Sequence, residues 1–178
     1  MKLAALAVSL CLAFGGCSDT AQRVTPRETP EDRPSACEGT GPVGTATPRP
    51  DRGDATPPIA LLDGSCGEIQ GALGTYCWSH GGKGICSDAI SPVPPTHRLV
   101  VLGSEELRLS WRTKSDPDDV VVALIDERSE ERREIEAEKT NPTSLLLDAE
   151  PGRYVLEVGT WIGEGDAAYT FGIRVVDG

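Results

Sequence analysis

The amino-acid sequence predicts an all-β fold, in which a single two-sheet β-sandwich follows a disordered N-terminal tether. Apolar and polar residues alternate over many short stretches of the C-terminal 120 residues, which is the two-residue period of strands. Turn sequences such as Ser115-Asp116-Pro117-Asp118 and Gly163-Glu164-Gly165-Asp166 separate these stretches, at the spacing expected of a sandwich or barrel. The strand-rich part, residues 59–178, has the size of one domain with one core.

The N-terminal residues 1–16 are predicted to be an export signal. Lys2 carries the positive charge, and an apolar run extends from Leu3 to Phe14. A transmembrane helix needs roughly 20 apolar residues to cross a hydrocarbon core of about 30 Å. The run is shorter than that, so it indicates a signal peptide that is removed from the mature chain.

The residues before Cys17 resemble the lipobox of bacterial lipoproteins. Gly15 and Gly16 supply the small residues of that motif, whereas Phe14 departs from the aliphatic residue that the family usually has. The resemblance implies cleavage before Cys17, a diacylglycerol group on its sulfur, and an acyl chain such as palmitate on its new amino terminus. It therefore implies a lipid-anchored protein of the bacterial cell envelope, exposed at the cell surface or in the periplasm.

The charge balance argues against nucleic-acid partners. The formal net charge is −11, and it becomes −12 when Lys2 is lost with the signal. An acidic chain is repelled by nucleic acid and by anionic headgroups. We therefore expect no nucleic-acid binding, and membrane contact through the lipid alone.

Residues 17–58 are predicted to be a disordered linker. They contain eight of the fourteen prolines and no aromatic residue. Such a segment buries too little apolar surface to offset the entropy lost on ordering. As a flexible coil, about 40 residues would span on the order of 35 Å.

The domain, residues 59–178, is predicted to contain at least eight strands. Leu107, Leu109 and Trp111 alternate with polar residues, as in a half-buried strand. Val120 to Ile125 is apolar at every position, which predicts a central strand covered on both faces. The remaining strand candidates are residues 59–62, 68–73, 98–101, 144–147, 153–161 and 169–175.

The charged segment from Glu127 to Lys139 allows two structures. Its composition favours a helix, whereas Ile135 and Ala137 alternate with glutamates as a strand would. We favour an exposed hairpin that turns near Ser129, with a short helix as the alternative.

The sequence from Leu147 to Val158 resembles the tyrosine corner of immunoglobulin-like and fibronectin-type-III-like sandwiches. A leucine ends one strand, Pro151-Gly152 forms a turn, and Tyr154 opens the next strand. The resemblance implies that the Tyr154 hydroxyl bonds back to the turn backbone. It implies an immunoglobulin-like sandwich and no particular activity, because the fold has many functions.

Apart from the lipidated Cys17, four cysteines remain in the mature chain, and they predict two disulfides. An exported chain is oxidised, although four cysteines allow three pairings. We favour Cys77 with Cys86, across the turn Gly81-Gly82-Lys83-Gly84, and Cys37 with Cys66 follows. The alternative is a metal site of Cys77, His80 and Cys86 with Asp88.

The pattern Leu-Gly-x-Tyr-Cys-Trp followed by Cys-x-Asp is also similar to that of bacterial secreted and lipoprotein modules.

No catalytic constellation is evident. Ser79 and His80 are adjacent on a predicted strand and therefore point to opposite faces, and His97 follows a Pro-Pro turn without an acidic neighbour. Asp116, Asp118 and Asp119 suit either a calcium loop or an ordinary turn. We expect no catalytic residue, no metal and no cofactor.

Two tryptophans are the candidate binding residues. Trp78 lies beside a glycine-rich turn, and alternation from Tyr154 places Trp161 on the face opposite the core. Exposed aromatic rings anchor sugars or protein partners, whereas buried ones would only cover the ends of the core. The sequence thus predicts a non-enzymatic binding or accessory module for an envelope protein or glycan. The alternative is a divergent enzyme or metal-binding module centred on Cys77, His80 and Cys86.

Overall fold

The computed structural model describes Cys37 and residues 56–90, 92–113, 115–163 and 165–177. Within these ranges there are eleven strands and no α-helix. The predicted signal peptide and most of the predicted linker lie outside the described residues. The strands are β1 (Ala60–Gly64), β2 (Gly67–Gln70), β3 (Ala72–His80), β4 (Lys83–Ser87), β5 (Arg98–Leu102), β6 (Ser104–Trp111), β7 (Asp119–Asp126), β8 (Arg132–Ile135), β9 (Thr143–Asp148), β10 (Gly152–Ile162) and β11 (Gly165–Val176).

The strands form two sheets. The smaller sheet has the order β2-β1-β6-β9, and the larger has the order β4-β3-β11-β10-β7-β8. All pairs are antiparallel except β5, which pairs with β11 in parallel. Strand β3 occupies the first half of one β11 edge and β5 the second half. The prediction of an all-β sandwich is confirmed.

The core lies between the two sheets, because each strand turns every second residue inward. On β10 the inward residues Tyr154, Leu156 and Val158 are buried, and the outward Trp161 is exposed. Strand β9 shows the same alternation, with Leu145 buried. The largest fully buried side chains come from both sheets and are Tyr169, Phe171, Leu62, Leu99, Leu107, Leu109, Leu124, Leu145, Leu147, Leu156, Ile173 and Val101.

One predicted strand, residues 68–73, is in fact two strands in different sheets. The chain leaves the smaller sheet at Gly71, whose N–H still donates to the Ala60 carbonyl at 2.9 Å. A Cβ atom at Gly71 would lie 2.7 Å from Cζ of Phe171. The crossing therefore needs glycine, because the phenylalanine ring occupies the space that a side chain would take.

The predicted tyrosine-corner contact is present. The Tyr154 hydroxyl donates to the Glu150 carbonyl at 2.9 Å. A Cβ atom at Gly152 would come within 3.1 Å of the same ring, so the turn leaves room for the tyrosine. This contact fixes the connection between β9 in one sheet and β10 in the other.

The apolar strand β7 differs from its prediction. Val122 and Leu124 face the core, but Val121 is 47 % exposed on the outer face. The prediction that both faces are covered holds only in part, because Ala123 on the outer face is 0 % exposed while Val121 on the same face is open to solvent. The unbroken apolar run therefore reflects one core face and an outer face that is covered at Ala123 and open at Val121.

The charged segment after β7 forms a hairpin, as the favoured prediction has it. Strand β8 pairs with β7, with Ile135 opposite Val122. The Asp126 carboxylate accepts hydrogen bonds from the N–H groups of Arg128 and Ser129 at 2.7 and 3.0 Å. This carboxylate holds the turn, and the alternative helix does not form.

Candidate binding surface

The glycine-rich hairpin of β3 and β4 is closed by a disulfide. Gly81 and Gly82 both have positive φ, 57° and 77°, as a two-residue turn that matches strand twist requires. This turn places Cys77 directly opposite Cys86, with 4.1 Å between their Cα atoms. Both sulfurs are used in the disulfide, so the arrangement offers no thiolate for the alternative metal site with His80.

The second disulfide joins Cys37 to Cys66 across 29 residues. Both cysteines are at most 2 % exposed, and they pack with Val100 and Val176 in a small separate cluster. The two disulfides are the pairs that the sequence predicts. They are consistent with a location outside the cytoplasm, where thiols are oxidised. The predicted lipidation site, Cys17, lies outside the described residues.

The three tryptophans differ sharply in exposure. Trp78 is 7 % exposed and Trp111 is 3 % exposed, whereas Trp161 is 51 % exposed. Trp78 belongs to the core cluster, so its assignment as a binding residue is corrected: its ring packs inside the sandwich. Trp161 has the outward orientation that the β10 alternation predicts.

Two carboxylates flank the exposed ring of Trp161. Asp119 on β7 and Asp166 on β11 are its directly paired residues on either side. Side chains of directly paired residues have Cβ atoms about 5 Å apart. The indole therefore stands between two acidic groups on the outer face of the larger sheet.

The end of β10 is held by the preceding acidic loop. The Asp118 N–H donates to the Trp161 carbonyl at 2.7 Å, and the Asp118 carboxylate accepts from the Gly163 N–H at 2.9 Å. Lys139 contacts the Asp119 carboxylate at 2.9 Å and lowers the pKa of that carboxyl, through hydrogen bonding and through its charge. These contacts fix the backbone that carries Trp161.

The alternative calcium loop is not assembled. Asp116 accepts a hydrogen bond from the Asn141 N–H at 3.0 Å, Asp118 binds Gly163, and Asp119 binds Lys139. Among the described residues, no group of three His, Cys, Asp or Glu side chains could hold a metal ion. The three aspartates have separate partners, and Asp119 is the first residue of β7.

Two cavities lie away from Trp161. One of about 340 Å³ opens where β3 and β5 separate along β11, and its lining includes His97, Gln70 and Tyr169. Burial raises the pKa of Tyr169, and its hydroxyl donates to the Pro58 carbonyl at 2.6 Å. The other, about 410 Å³, is lined mainly by carboxylates and Arg133 near the tyrosine corner.

Comparison with protein-family models, with curated proteins and with solved structures finds no match for this chain. The described part of the chain has no helix with the length and apolar character needed to span a membrane.

A depression on the outer face, one row of paired residues away from Trp161, was not anticipated from the sequence. Its lining includes Gly74, Val121, Gly159 and Ala168, which belong to four different strands. Two sequence signals could have pointed to it. They are the outward run Glu157, Gly159, Trp161, and the apolar outward position at Val121.

Proposed function

We propose that this protein is a lipid-anchored component of the bacterial cell envelope whose sandwich domain binds an envelope protein or glycan without catalysing a reaction. The lipobox-like sequence that ends at Cys17 supports the anchor, and the two disulfides fit an oxidising compartment. The binding surface is the outer face of the larger sheet around Trp161.

The exposure of Trp161 is the observation that carries this proposal. Large aromatic side chains are usually mostly buried, and the other two tryptophans of this chain are. An indole that is half exposed on a rigid strand does not contribute the free energy that its full burial would provide. Such residues are typical anchors of binding sites, where the partner completes the burial.

The outer face around this ring is rigid, which favours binding. Trp161 lies within the longest antiparallel pairing of the structure, between β10 and β11, and β10 also pairs with β7. A side chain on paired strands loses less conformational freedom on binding than one on a loop. Val121 continues the apolar surface on the neighbouring strand.

Replacement of Trp161 tests the proposal. The full chain is incubated with purified envelope fragments of the source organism, and the bound fraction is measured by co-sedimentation. We expect Trp161→Ala to weaken binding at least tenfold, as loss of a central aromatic anchor does. Leu146→Ala removes another exposed apolar side chain from β9, in the other sheet, and should bind as the wild type does. Equal binding by wild type and Trp161→Ala would refute the assignment of this surface.

A further inference from the structure

The depression over Gly159 has a volume of about 190 Å³, and small residues lie at its centre. Val121 on β7 pairs with Gly159 on β10, which pairs with Ala168 on β11. Gly74 on β3 continues this row, since its Cβ position is 3.7 Å from the Cβ of Ala168. Three of the four residues have at most a methyl side chain, so a ligand can lie directly on the sheet.

Side chains of different chemistry surround this floor. Glu157, two residues before Gly159 on β10, lines the depression. Trp161, two residues after Gly159, does not line it, but it shares the same face of the sheet about 7 Å further along the strand. Arg132 on β8 contacts the Glu157 carboxylate at 3.5 Å. Val93 borders the depression on another side, and its carbonyl accepts from the Thr170 hydroxyl at 2.7 Å.

The size of the depression limits the ligand to one small ring. Pockets for drug-sized molecules measure about 300–1,000 Å³, and this one is smaller. A pyranose ring has an apolar C–H face and a rim of hydroxyl groups. The indole offers a flat apolar surface for such a face, and the carboxylates and guanidinium around the floor can accept from and donate to hydroxyls.

The charges around the depression favour a neutral ligand. The charged residues that line it are Glu157 and Arg132, and they are paired with each other at 3.5 Å. Asp119 and Asp166 add two carboxylates in the neighbouring row beside Trp161, where Lys139 pairs with Asp119. The mature chain as a whole is predicted to carry a formal charge of −12. An anionic sugar would be repelled by this field.

We infer that this depression binds one neutral pyranose unit of a glycan, with the sugar ring over Gly159 and Ala168 and its apolar face turned toward Trp161 in the neighbouring row. The inference rests on the proposed function, because it uses the same surface, and it names the ligand class. A protein anchored on Trp161 is the alternative that the experiment must separate from it.

Filling the depression gives a direct test. A Cβ atom at Gly159 would meet only the Val121 carbonyl oxygen, at 3.9 Å, so Gly159→Val should fold while occupying the ligand space. Gly84→Val is the matched control. It makes the same change on β4 of the same sheet, where a Cβ atom would meet only the Ser79 Oγ at 3.7 Å. Thermal unfolding of both variants verifies that they are folded.

The full chain is titrated with chitotriose as a neutral probe and with trigalacturonate as an anionic one. Tryptophan fluorescence follows binding, because Trp161 is the exposed ring and Trp78 and Trp111 are buried. We expect saturable binding of chitotriose, at least tenfold weaker in Gly159→Val and unchanged in Gly84→Val. Trigalacturonate should not bind.

Three results would overturn the inference. They are no saturable binding of chitotriose, equal binding by the two glycine variants, or binding of trigalacturonate as tight as that of chitotriose. If any of them occurs while Trp161→Ala still loses envelope binding, the proposed function stands and its ligand is not a neutral pyranose seated on this floor; absence of binding by both sugars then favours a protein. If Trp161→Ala binds envelope fragments normally, the proposed function fails as well.

Discussion

At the scale of single residues, Tyr169 shows how a polar group is accommodated in this core. Its ring is 2 % exposed, and its hydroxyl donates to the Pro58 carbonyl at 2.6 Å. The bond satisfies a buried donor that would otherwise cost about 1–3 kcal/mol. It also attaches the start of the described domain to the last strand.

Burial of Tyr169 predicts a loss of stability at high pH. Its pKa is raised by desolvation above the ordinary value of 10.0. Above about pH 10 the hydroxyl proton leaves the unfolded chain but stays on the folded chain, so raising the pH favours the unfolded state. The stability that Tyr169 gains from its raised pKa is fully present below pH 10. It decreases by about 1.4 kcal/mol for each pH unit above 10.

Tyr169→Phe isolates this contribution. At pH 8 we expect the variant to be about 1 kcal/mol less stable, because one hydrogen bond is lost. Between pH 10 and 11.5 its free energy of unfolding should fall less steeply than that of the wild type, so the difference in stability narrows and then reverses sign within this range. Urea denaturation across this range measures both. Parallel pH profiles would show that the Tyr169 pKa is not raised by folding.

Trp161 illustrates what a residue pattern can and cannot decide. The alternation along β10 was enough to place this ring on the outer face, and the structure confirms it. Trp78 could not be placed in the same way, because its neighbours are glycine, cysteine and serine as well as apolar residues. Its burial follows from the register of β3 on β11, where it lies opposite Gly165.

At the scale of elements, the β3–β4 hairpin combines a short edge strand with a covalent cross-link. Every residue of β4 is exposed, so packing contributes little to hold it against β3. The Cys77–Cys86 bond joins the two strands where their residues are directly opposed. The disulfide therefore replaces the hydrophobic contacts that hold the inner strands.

The exposure of this hairpin predicts the order in which the disulfides are reduced. Cys77 and Cys86 are exposed, whereas Cys37 and Cys66 are at most 2 % exposed. Exposed disulfides are the ones a thiolate can attack. Under limiting dithiothreitol in native buffer, we expect Cys77 and Cys86 to be alkylated at least tenfold faster, as measured by peptide mass spectrometry.

Unfolding the chain supplies the control for this experiment. In guanidinium the burial of Cys37 and Cys66 is removed, and the two disulfides should be reduced at comparable rates. Faster native labelling of Cys37 and Cys66 would contradict the structure.

The division between β2 and β3 shows why element boundaries escaped the sequence. Residues 68–73 carry a continuous strand-like pattern, yet the chain changes sheets at Gly71. The reason is a contact with Phe171, which is 100 residues further along the chain. A local pattern cannot contain that information.

At the scale of the whole molecule, the Cys37–Cys66 bond sets where a free tether can end. It joins a cysteine within the predicted linker to the core domain. Any free spacer between a lipidated Cys17 and the domain is therefore limited to residues 18–36. The proposed anchor and the binding surface around Trp161 would then be connected through this short segment.

Cys17→Ser tests the proposed anchor. In a bacterial host supplied with labelled palmitate, the wild-type chain should incorporate label and sediment with membranes. The variant should lose the label, because serine lacks the sulfur that is modified, and its membrane-bound fraction should fall at least fivefold. Cys11→Ser, within the predicted signal peptide, is the matched control and should keep the label. Labelling of Cys17→Ser at the wild-type level would contradict the proposal.

The sequence by itself determined the all-β class, most of the strands and the outward orientation of Trp161. It also favoured the two disulfide pairs among three possible pairings and, through a resemblance, the Tyr154 contact. These features depend on local periodicity, on turn chemistry and on a small number of cysteines. Only the tertiary structure decided that Trp78 is buried, that Val121 is exposed, that the chain changes sheets at Gly71, and that Gly159 and Ala168 form the floor of a depression one row from Trp161. Those outcomes depend on which strands become neighbours, and strand order is set by contacts between residues far apart in the chain.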